Sequence, residues 1–394
     1  MARVSLADPL PVGAAVPAPM SIATVRRAVL WGLLASKLIA GWGVQWDIQW
    51  HVQIGRDSFW IAPHLMTYAG VGLAVLLSWG VVAWESWLRA RRATIPREAS
   101  AVQLLGLTAT RGFHLAAWGI ALTVLAAPID DLWHRLFGID VTIWSPPHLL
   151  GILGSVVNTI GCLLISREAY PVERGRRLAA TLLSGAMLYG GLHLVVDPSN
   201  LVAYRHGGLF FYTLAILSAS ILPLALVTTS RVSGTRWAPL VIVAVLIPIG
   251  LIGAGVARVG FAALAPVSAI HEVIASEPDS PIAVAHAIAR KNGTAPGRTG
   301  GVLHIFALVP AAVMALVNAR RRPRLATVGY AVALFFVLGR VLASRPAFAP
   351  MEPGAIETAV ALAITVVAAA LSAGLARRLS EALVPPESPA ARLA

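Results

Sequence analysis

Apolar stretches of about twenty residues recur along nearly the whole chain, and a helix of that length crosses the hydrocarbon core of a bilayer. Because lipid offers the backbone no hydrogen-bond partners, such stretches form helices. Hydrophobic residues make up 57% of the chain, charged residues only 12%, and the mean hydropathy is +0.76, which excludes soluble domains. The sequence therefore predicts an all-α polytopic integral membrane bundle of about ten transmembrane helices within a lipid bilayer. The helices are expected near residues 24–46, 63–87, 101–129, 147–166, 178–196, 207–229, 238–257, 301–318, 325–343 and 355–375.

These helices pair into hairpins, which divide the chain into two regions. Residues 1–22 are rich in alanine and proline and are expected to be a disordered N-terminal segment. A six-helix region spans 23–230 and contains two hairpins of related sequence, 24–87 and 101–166. A four-helix region spans 238–378 and includes a long outer loop, 258–300, with a short surface helix near 282–290; a flexible tail follows at 379–394.

The positive charge of the chain lies in short arginine clusters between the apolar spans. The formal net charge is +13, but its distribution on alternate flanks indicates membrane orientation rather than nucleic-acid binding. Arginine-rich flanks mark the cytoplasmic side, so both termini are expected in the cytoplasm of a bacterial cell with an inner (plasma) membrane. The single cysteine, Cys162, excludes an intramolecular disulfide and a cysteine-rich metal site.

A pattern of sixteen to eighteen residues occurs twice in the six-helix region, and its matched positions are mostly metal-ligand types. The first copy reads Asp47-x3-His51-x3-Gly55-x-Asp57-x2-Trp60-x2-Pro63-His64. The second reads Asp130-x3-His134-x3-Gly138-x-Asp140-x3-Trp144-x2-Pro147-His148. Ionisable residues at membrane depth are costly and usually serve a site, so the duplication is the predicted place of the chemistry.

The spacing within each copy predicts three converging ligands. An aspartate and a histidine four residues apart share one face at a helix end, and the histidine after the proline falls in the first turn of the next helix. One carboxylate and two imidazoles form a partial metal shell with open positions. Both groups are expected on the outer side, facing the periplasm or exterior, and close to each other. The predicted metal ligands are Asp47, His51, His64, Asp130, His134 and His148.

Further polar residues could support these ligands. Asp57 and Asp140 could orient an imidazole by accepting its N–H. The third hairpin carries a looser pattern, His193-x3-Asp197 followed by His206, with the acid and base in reversed order. Two other interpretations stay open: a hydrogen-bond network between helix ends within an aromatic belt, and a relay for proton or metal-ion transport.

The spacings resemble those of a copper-binding membrane component of the particulate methane and ammonia monooxygenases, the copper membrane monooxygenase family. That family binds copper through Asp-x3-His-x12-His and Asn-x3-His-x13-His on neighbouring hairpins. Asp47, His51 and His64 have the first spacing, and Asp130, His134 and His148 have the second, with Asp130 in the asparagine position. The resemblance covers about residues 40–155. It implies copper ligation by these six residues and a monooxygenase-like membrane oxidoreductase acting on a small or apolar substrate, with other membrane subunits or a homo-oligomer as partners.

A second resemblance keeps zinc as the alternative metal. Alkaline-ceramidase-like membrane hydrolases hold zinc with histidines, an aspartate and a nearby serine, and Ser145-x2-His148 is loosely similar to that arrangement. The paired late histidines of that family are not visible in this sequence. The hypotheses are therefore a copper oxidoreductase first, then a metal-ion or proton transporter that uses the same residues, then a zinc-dependent membrane hydrolase.

Overall fold

Helices dominate the computed structural model, which describes residues 21–56, 58–91, 101–137, 143–196, 205–297 and 302–384. The regular elements, in chain order, are α1 Ile22–Ile54, α2 Ala62–Ala90, β1 Ala101–Leu104, β2 Leu107–Thr110, α3 Arg111–Phe137, α4 Pro146–Ala169, α5 Arg174–Leu194, a 3₁₀ turn Gly208–Tyr212, α6 Thr213–Ile221, α7 Pro223–Ser233, α8 Ala238–Leu264, α9 Ile270–Ser276, α10 Pro281–Lys291, α11 Val302–Phe306, α12 Leu308–Val317, α13 Pro323–Ala343, a 3₁₀ turn Ala349–Met351, and α14 Ala355–Leu383.

Within the described residues, seven helical segments are long and apolar enough to cross a bilayer. They are Ala62–Ala90, Arg111–Phe137, Pro146–Ala169, Gly208–Ser233, Ala238–Leu264, Pro323–Ala343 and Ala355–Leu383. The chain is therefore a multi-pass, all-α membrane protein. The helices α1 and α5 have sufficient length but are less apolar, because α1 carries Lys37 and Asp47 and α5 begins with arginines.

The expected helix at 101–129 is wrong in its first ten residues. Residues 101–110 form an antiparallel hairpin in which Leu104 pairs with Leu107. The two turn residues, Leu105 and Gly106, have φ values of 52° and 80°, the positive values that a tight two-residue turn requires. The amide of Thr108 donates to the Ser86 hydroxyl at 2.8 Å, so the strand docks on α2 instead of extending α3.

Other boundaries differ by a few residues. The surface helix expected near 282–290 is present as α10, and α8 continues to Leu264, past the expected start of the outer loop. The last helix continues to Leu383, so residues 379–383 of the segment expected as a tail are helical. The segment expected to be disordered, 1–22, lies almost wholly outside the described residues.

Two buried clusters form the core. One lies among α1 to α5 and includes Leu30, Leu33 and Phe113; the other lies among α5 to α8 and α12 to α14. A smaller cluster of Trp46, Trp50 and Ala257 joins α1 to α8. The first two hairpins and the remaining helices are therefore packed into one bundle through α1 and α5.

Small residues bring α3 and α4 into close backbone contact. A Cβ atom added to Gly154 would stand 2.5 Å from the Thr123 amide nitrogen and 2.6 Å from the Gly119 carbonyl oxygen. Such distances leave no room for even a methyl group. Close approach through small residues is a common way for membrane helices to associate.

Gly154→Ala is therefore expected to destabilise the protein, by about 1–3 kcal/mol, because the two backbones must separate. The measurement is the midpoint of denaturant-induced unfolding in detergent. Gly151→Ala on the same helix is the matched control, because its Cβ would meet Ala126 at an ordinary 3.5 Å. Equal midpoints for the two variants would contradict the close packing.

Candidate metal centre

Each hairpin places its three polar residues at equivalent positions. Asp47 lies seven residues before the end of α1 at Ile54, and Asp130 lies seven residues before the end of α3 at Phe137. The second histidine is the third residue of the following helix in both cases, directly after a proline. We call Asp47, His51 and His64 the first triad, and Asp130, His134 and His148 the second triad.

In the first triad, one carboxylate oxygen contacts both imidazoles. Asp47 Oδ1 is 3.2 Å from His64 Nε2 and 3.4 Å from His51 Nδ1. His64 Nδ1 donates to the Ser58 carbonyl oxygen at 3.1 Å, which leaves its Nε2 directed at the carboxylate. His51 Nδ1 also donates to the Asp47 carbonyl oxygen at 3.0 Å, so a lone pair of neutral His51 lies on the far nitrogen. The first triad thus has one imidazole set for ligation and one held by the backbone.

The second triad converges more closely. Asp130 is 3.4 Å from His134 Nε2 through one oxygen and 3.4 Å from His148 Nε2 through the other. In the part of the chain that the structure describes, this is the one group of three such side chains whose ligand atoms all lie within 4.8 Å of one another. Its side chains are 23–35% exposed, against 17–23% in the first triad. The second triad is therefore the better formed and the more accessible of the two.

These separations fit a shared ion better than direct hydrogen bonds. Two ligand atoms bound to one ion at roughly 2.0–2.1 Å with a tetrahedral angle stand about 3.3 Å apart. A charge-assisted hydrogen bond between imidazole and carboxylate would be shorter, roughly 2.7–2.9 Å. The observed contacts of 3.2–3.4 Å match the first value. The residues present thus fit a metal ion.

The carboxylate oxygens themselves also indicate a cation. Asp47 Oδ1 and Asp130 Oδ1 are both buried and accept no hydrogen bond from any residue that the structure describes. A buried carboxylate oxygen without a hydrogen bond is unfavourable unless a positive charge lies beside it. The same atom is in the same condition in both hairpins, so the hydrogen-bond network considered from the sequence accounts poorly for the geometry.

Aromatic residues enclose the first triad. The indole rings of Trp46 and Trp50 meet edge to face at 6.4 Å, and Phe261 of α8 stacks on Trp50 at 5.8 Å. Trp50 Nε1 donates to the Arg56 carbonyl oxygen at 2.9 Å, which ties the chain reversal to α1. These tryptophans therefore position the helix end as well as matching an interfacial belt.

The outer segment after α8 caps the C-terminus of α1, a role that the sequence did not reveal. The amide of Ala269 donates to the Ile54 carbonyl oxygen at 2.8 Å, and the Ser268 hydroxyl donates to that of Gln53 at 2.7 Å. His286 Nε2 donates to the Val52 carbonyl oxygen at 2.8 Å. The last carbonyl groups of a helix have no partner within it, so these bonds satisfy three of them just after His51.

His286→Ala is expected to weaken metal binding by the first triad about tenfold, because the helix end loses a bond one residue from His51. The measurement is chelator competition in a protein whose second triad is disabled by Asp130→Ala. His271→Ala is the control, since His271 is exposed on the neighbouring α9. Unchanged affinity in His286→Ala would show that the cap does not position the ligands.

The remaining sequence-predicted residues do not join the two triads. His193 faces His304, with ring centroids 4.9 Å apart. His206 is exposed and contacts Phe210. Asp57, Asp140 and Asp197 lie outside the described residues. The helix-interior His114 donates through Nε2 to the Val102 carbonyl oxygen at 3.1 Å, which joins α3 to β1.

Comparison of the chain with protein-family models, with curated protein sequences and with solved structures found no match.

Proposed function

We propose that this protein is a copper-binding membrane oxidoreductase, monooxygenase-like in its reaction, with an outward-facing Asp/His site. The observation that carries the proposal is the repeated geometry: two triads at equivalent helix ends, each with a carboxylate in contact with both imidazoles of its hairpin. The spacing resemblance to the copper membrane monooxygenases supports copper over other metals. Among divalent ions, copper also has the highest affinity for nitrogen and oxygen ligands.

Copper held by Asp47, His51, His64, Asp130, His134 and His148 would supply one-electron redox chemistry. The residues do the rest: the carboxylate offsets the charge of the ion, and Ser58 fixes the His64 tautomer. Three protein ligands leave a position open for a substrate. Because the site lies at helix ends within an apolar bundle, a small or apolar substrate can reach it from the lipid.

The topology that accompanies this function has ten spans. The segments α1, α5 and α11–α12 together would join the seven most apolar ones, with the duplicated hairpin forming the first four. Arg89 near the end of α2 and Arg167 near the end of α4 favour a cytoplasmic position for those ends. Both termini would then be cytoplasmic in a bacterial inner membrane, with the triads on the periplasmic or outer side. Other membrane subunits or a second copy would deliver electrons.

Metal analysis of detergent-purified protein tests the proposal. We expect about one copper ion per formed triad, with nitrogen hyperfine coupling in the electron paramagnetic resonance spectrum. His51→Ala with His134→Ala should abolish both signals while the protein stays folded, because alanine is the best helix former. Protein without bound metal after reconstitution would return these residues to a structural or proton-relay role.

A zinc-dependent hydrolase is the second candidate, and one observation favours it. The Ser145 hydroxyl lies three residues before His148, is buried, and makes no hydrogen bond to any described residue. A hydroxyl of this kind beside a three-ligand site with an open position suits a zinc-bound water or substrate. Stoichiometric zinc without copper in the purified protein would favour this candidate and overturn the oxidoreductase.

A further inference from the structure

A second group of buried polar rings lies apart from the triads, where α5 meets the C-terminal helices. His193 and Tyr189 come from α5, His304 from α11, and Tyr330 from α13. The imidazoles of His193 and His304 have centroids 4.9 Å apart at 64°. Tyr189 stacks on His193 at 6.1 Å and meets His304 at 6.0 Å. Three helices thus contribute aromatic polar groups to one point, which we call the ring cluster.

The ring cluster borders a small cavity. Its volume is about 20 Å³, room for one water molecule or one ion. Tyr189, His193 and Tyr330 line it together with Ser218, and the rest of the wall is apolar: Leu214, Leu222, Ala307, Leu334 and Leu338. Polar groups gathered in an apolar wall around a space of this size indicate a ligand.

Two of these polar groups lack a well-formed hydrogen bond. The Tyr330 side chain is fully buried, and its hydroxyl makes no hydrogen bond of normal geometry to any residue described in the structure. The neighbouring Tyr189 hydroxyl is close enough to interact with it, but outside the geometry of such a bond. His304 Nδ1 is likewise buried without a hydrogen bond to the described residues. Each unsatisfied group costs about 1–3 kcal/mol, so these groups favour an occupant.

The two imidazoles suit a transition-metal ion. With metal–nitrogen bonds of roughly 2.0–2.1 Å and a tetrahedral angle, two imidazoles on one ion have ring centroids about 5 Å apart. The observed 4.9 Å agrees with this, whereas both triads have their imidazoles more than 6 Å apart. Imidazole is a ligand for copper and zinc alike, so distance does not choose between them.

Charge chooses between them. The described residues that line the cavity include no carboxylate, so the ligand set is neutral. The desolvation cost of an uncompensated ion rises steeply with its charge, which favours a monovalent ion. We infer that the ring cluster is a third metal site, which binds one monovalent copper ion through His193 and His304, with the Tyr330 hydroxyl turned toward it. It is distinct from the triads and takes the reduced form of the metal.

The test uses the full chain with both triads disabled by Asp47→Ala and Asp130→Ala. This protein, loaded with Cu(I) under anaerobic conditions against a chelator, is expected to retain one Cu(I) per chain. Adding His193→Ala and His304→Ala should reduce the Cu(I) affinity at least about a hundredfold. The matched control adds His206→Ala and His271→Ala, both exposed histidines, and should retain the ion.

Several results would overturn the inference: no Cu(I) in the triad-disabled protein, retention after both ring-cluster histidines are replaced, or binding of Zn(II) in preference to Cu(I). If the triad-disabled protein fails to fold, His193→Ala in the otherwise intact chain should still lose one Cu(I) per chain, and unchanged Cu(I) content would refute the site. Failure of the proposed copper triads leaves this result readable, because the ring cluster is assayed in their absence.

Discussion

Asp130→Ala will empty the second triad of metal. The carboxylate contacts both imidazoles at 3.4 Å and supplies the negative charge among these three ligands, so its loss removes one ligand and the charge that offsets the ion. We expect the metal affinity of this triad to fall at least about a hundredfold, or roughly 2.7 kcal/mol. The helix should persist, since alanine favours it. Chelator competition in an Asp47→Ala background measures the second triad alone.

The adjacent acid provides a matched control. Asp131 is more exposed and pairs with Arg135 at 2.8 Å, one helical turn away. Asp131→Ala removes the same charge one residue along the same helix, so it should leave the affinity within about twofold, because exposed ion pairs contribute little. Equal losses in the two variants would mean that general charge, rather than ligation, holds the metal. No loss in Asp130→Ala would remove the second triad from the proposed site.

The triads could be predicted from the sequence because their geometry is local. Residues four apart on a helix share a face, and a proline sets the start of the next helix, so Asp130, His134 and His148 meet without help from distant segments. Contact between the two triads depends on helix packing and stays a prediction. The His51 orientation was also beyond the pattern, because it depends on a hydrogen bond to the Asp47 backbone.

The features that the sequence did not reveal depend on long-range contacts or on short apolar strands. Residues 101–110 are apolar enough to be taken as helix, and their Leu-Gly turn lacks the asparagine or aspartate that typically marks a hairpin. The cap on α1 joins Val52 to His286, more than two hundred residues away. His304 opens α11 and gives no local sign that it faces His193.

Glu85→Ala is expected to cost about 3–5 kcal/mol of the free energy of unfolding. Arg26 of α1 and Glu85 of α2 form a two-pronged pair, with Nε to Oε1 at 2.7 Å and Nη2 to Oε2 at 2.9 Å. Their side chains are only 3% and 2% exposed. Removing one member leaves a buried charge without this counterion, and that desolvation cost is the source of the large effect. The measurement is denaturant-induced unfolding in mixed micelles.

Two further variants separate burial from charge. Glu381 pairs with Arg231 at 3.4 Å with side chains 50% and 27% exposed, so Glu381→Ala should cost less than about 1 kcal/mol. Arg26→Met with Glu85→Leu replaces both buried charges by apolar groups and should recover most of the stability lost in Glu85→Ala. If the double variant is as unstable as Glu85→Ala, the loss arises from packing rather than from an uncompensated charge.

The same variants also show whether stability and metal binding are separable. Arg26 lies twenty-one residues before Asp47 on α1, roughly 32 Å along the helix, so the ion pair and the first triad are at opposite ends of one hairpin. Folded Glu85→Ala protein should therefore keep its full metal content although it unfolds at lower denaturant. Loss of metal in proportion to loss of stability would instead mean that the triad forms only when the whole hairpin is tightly closed.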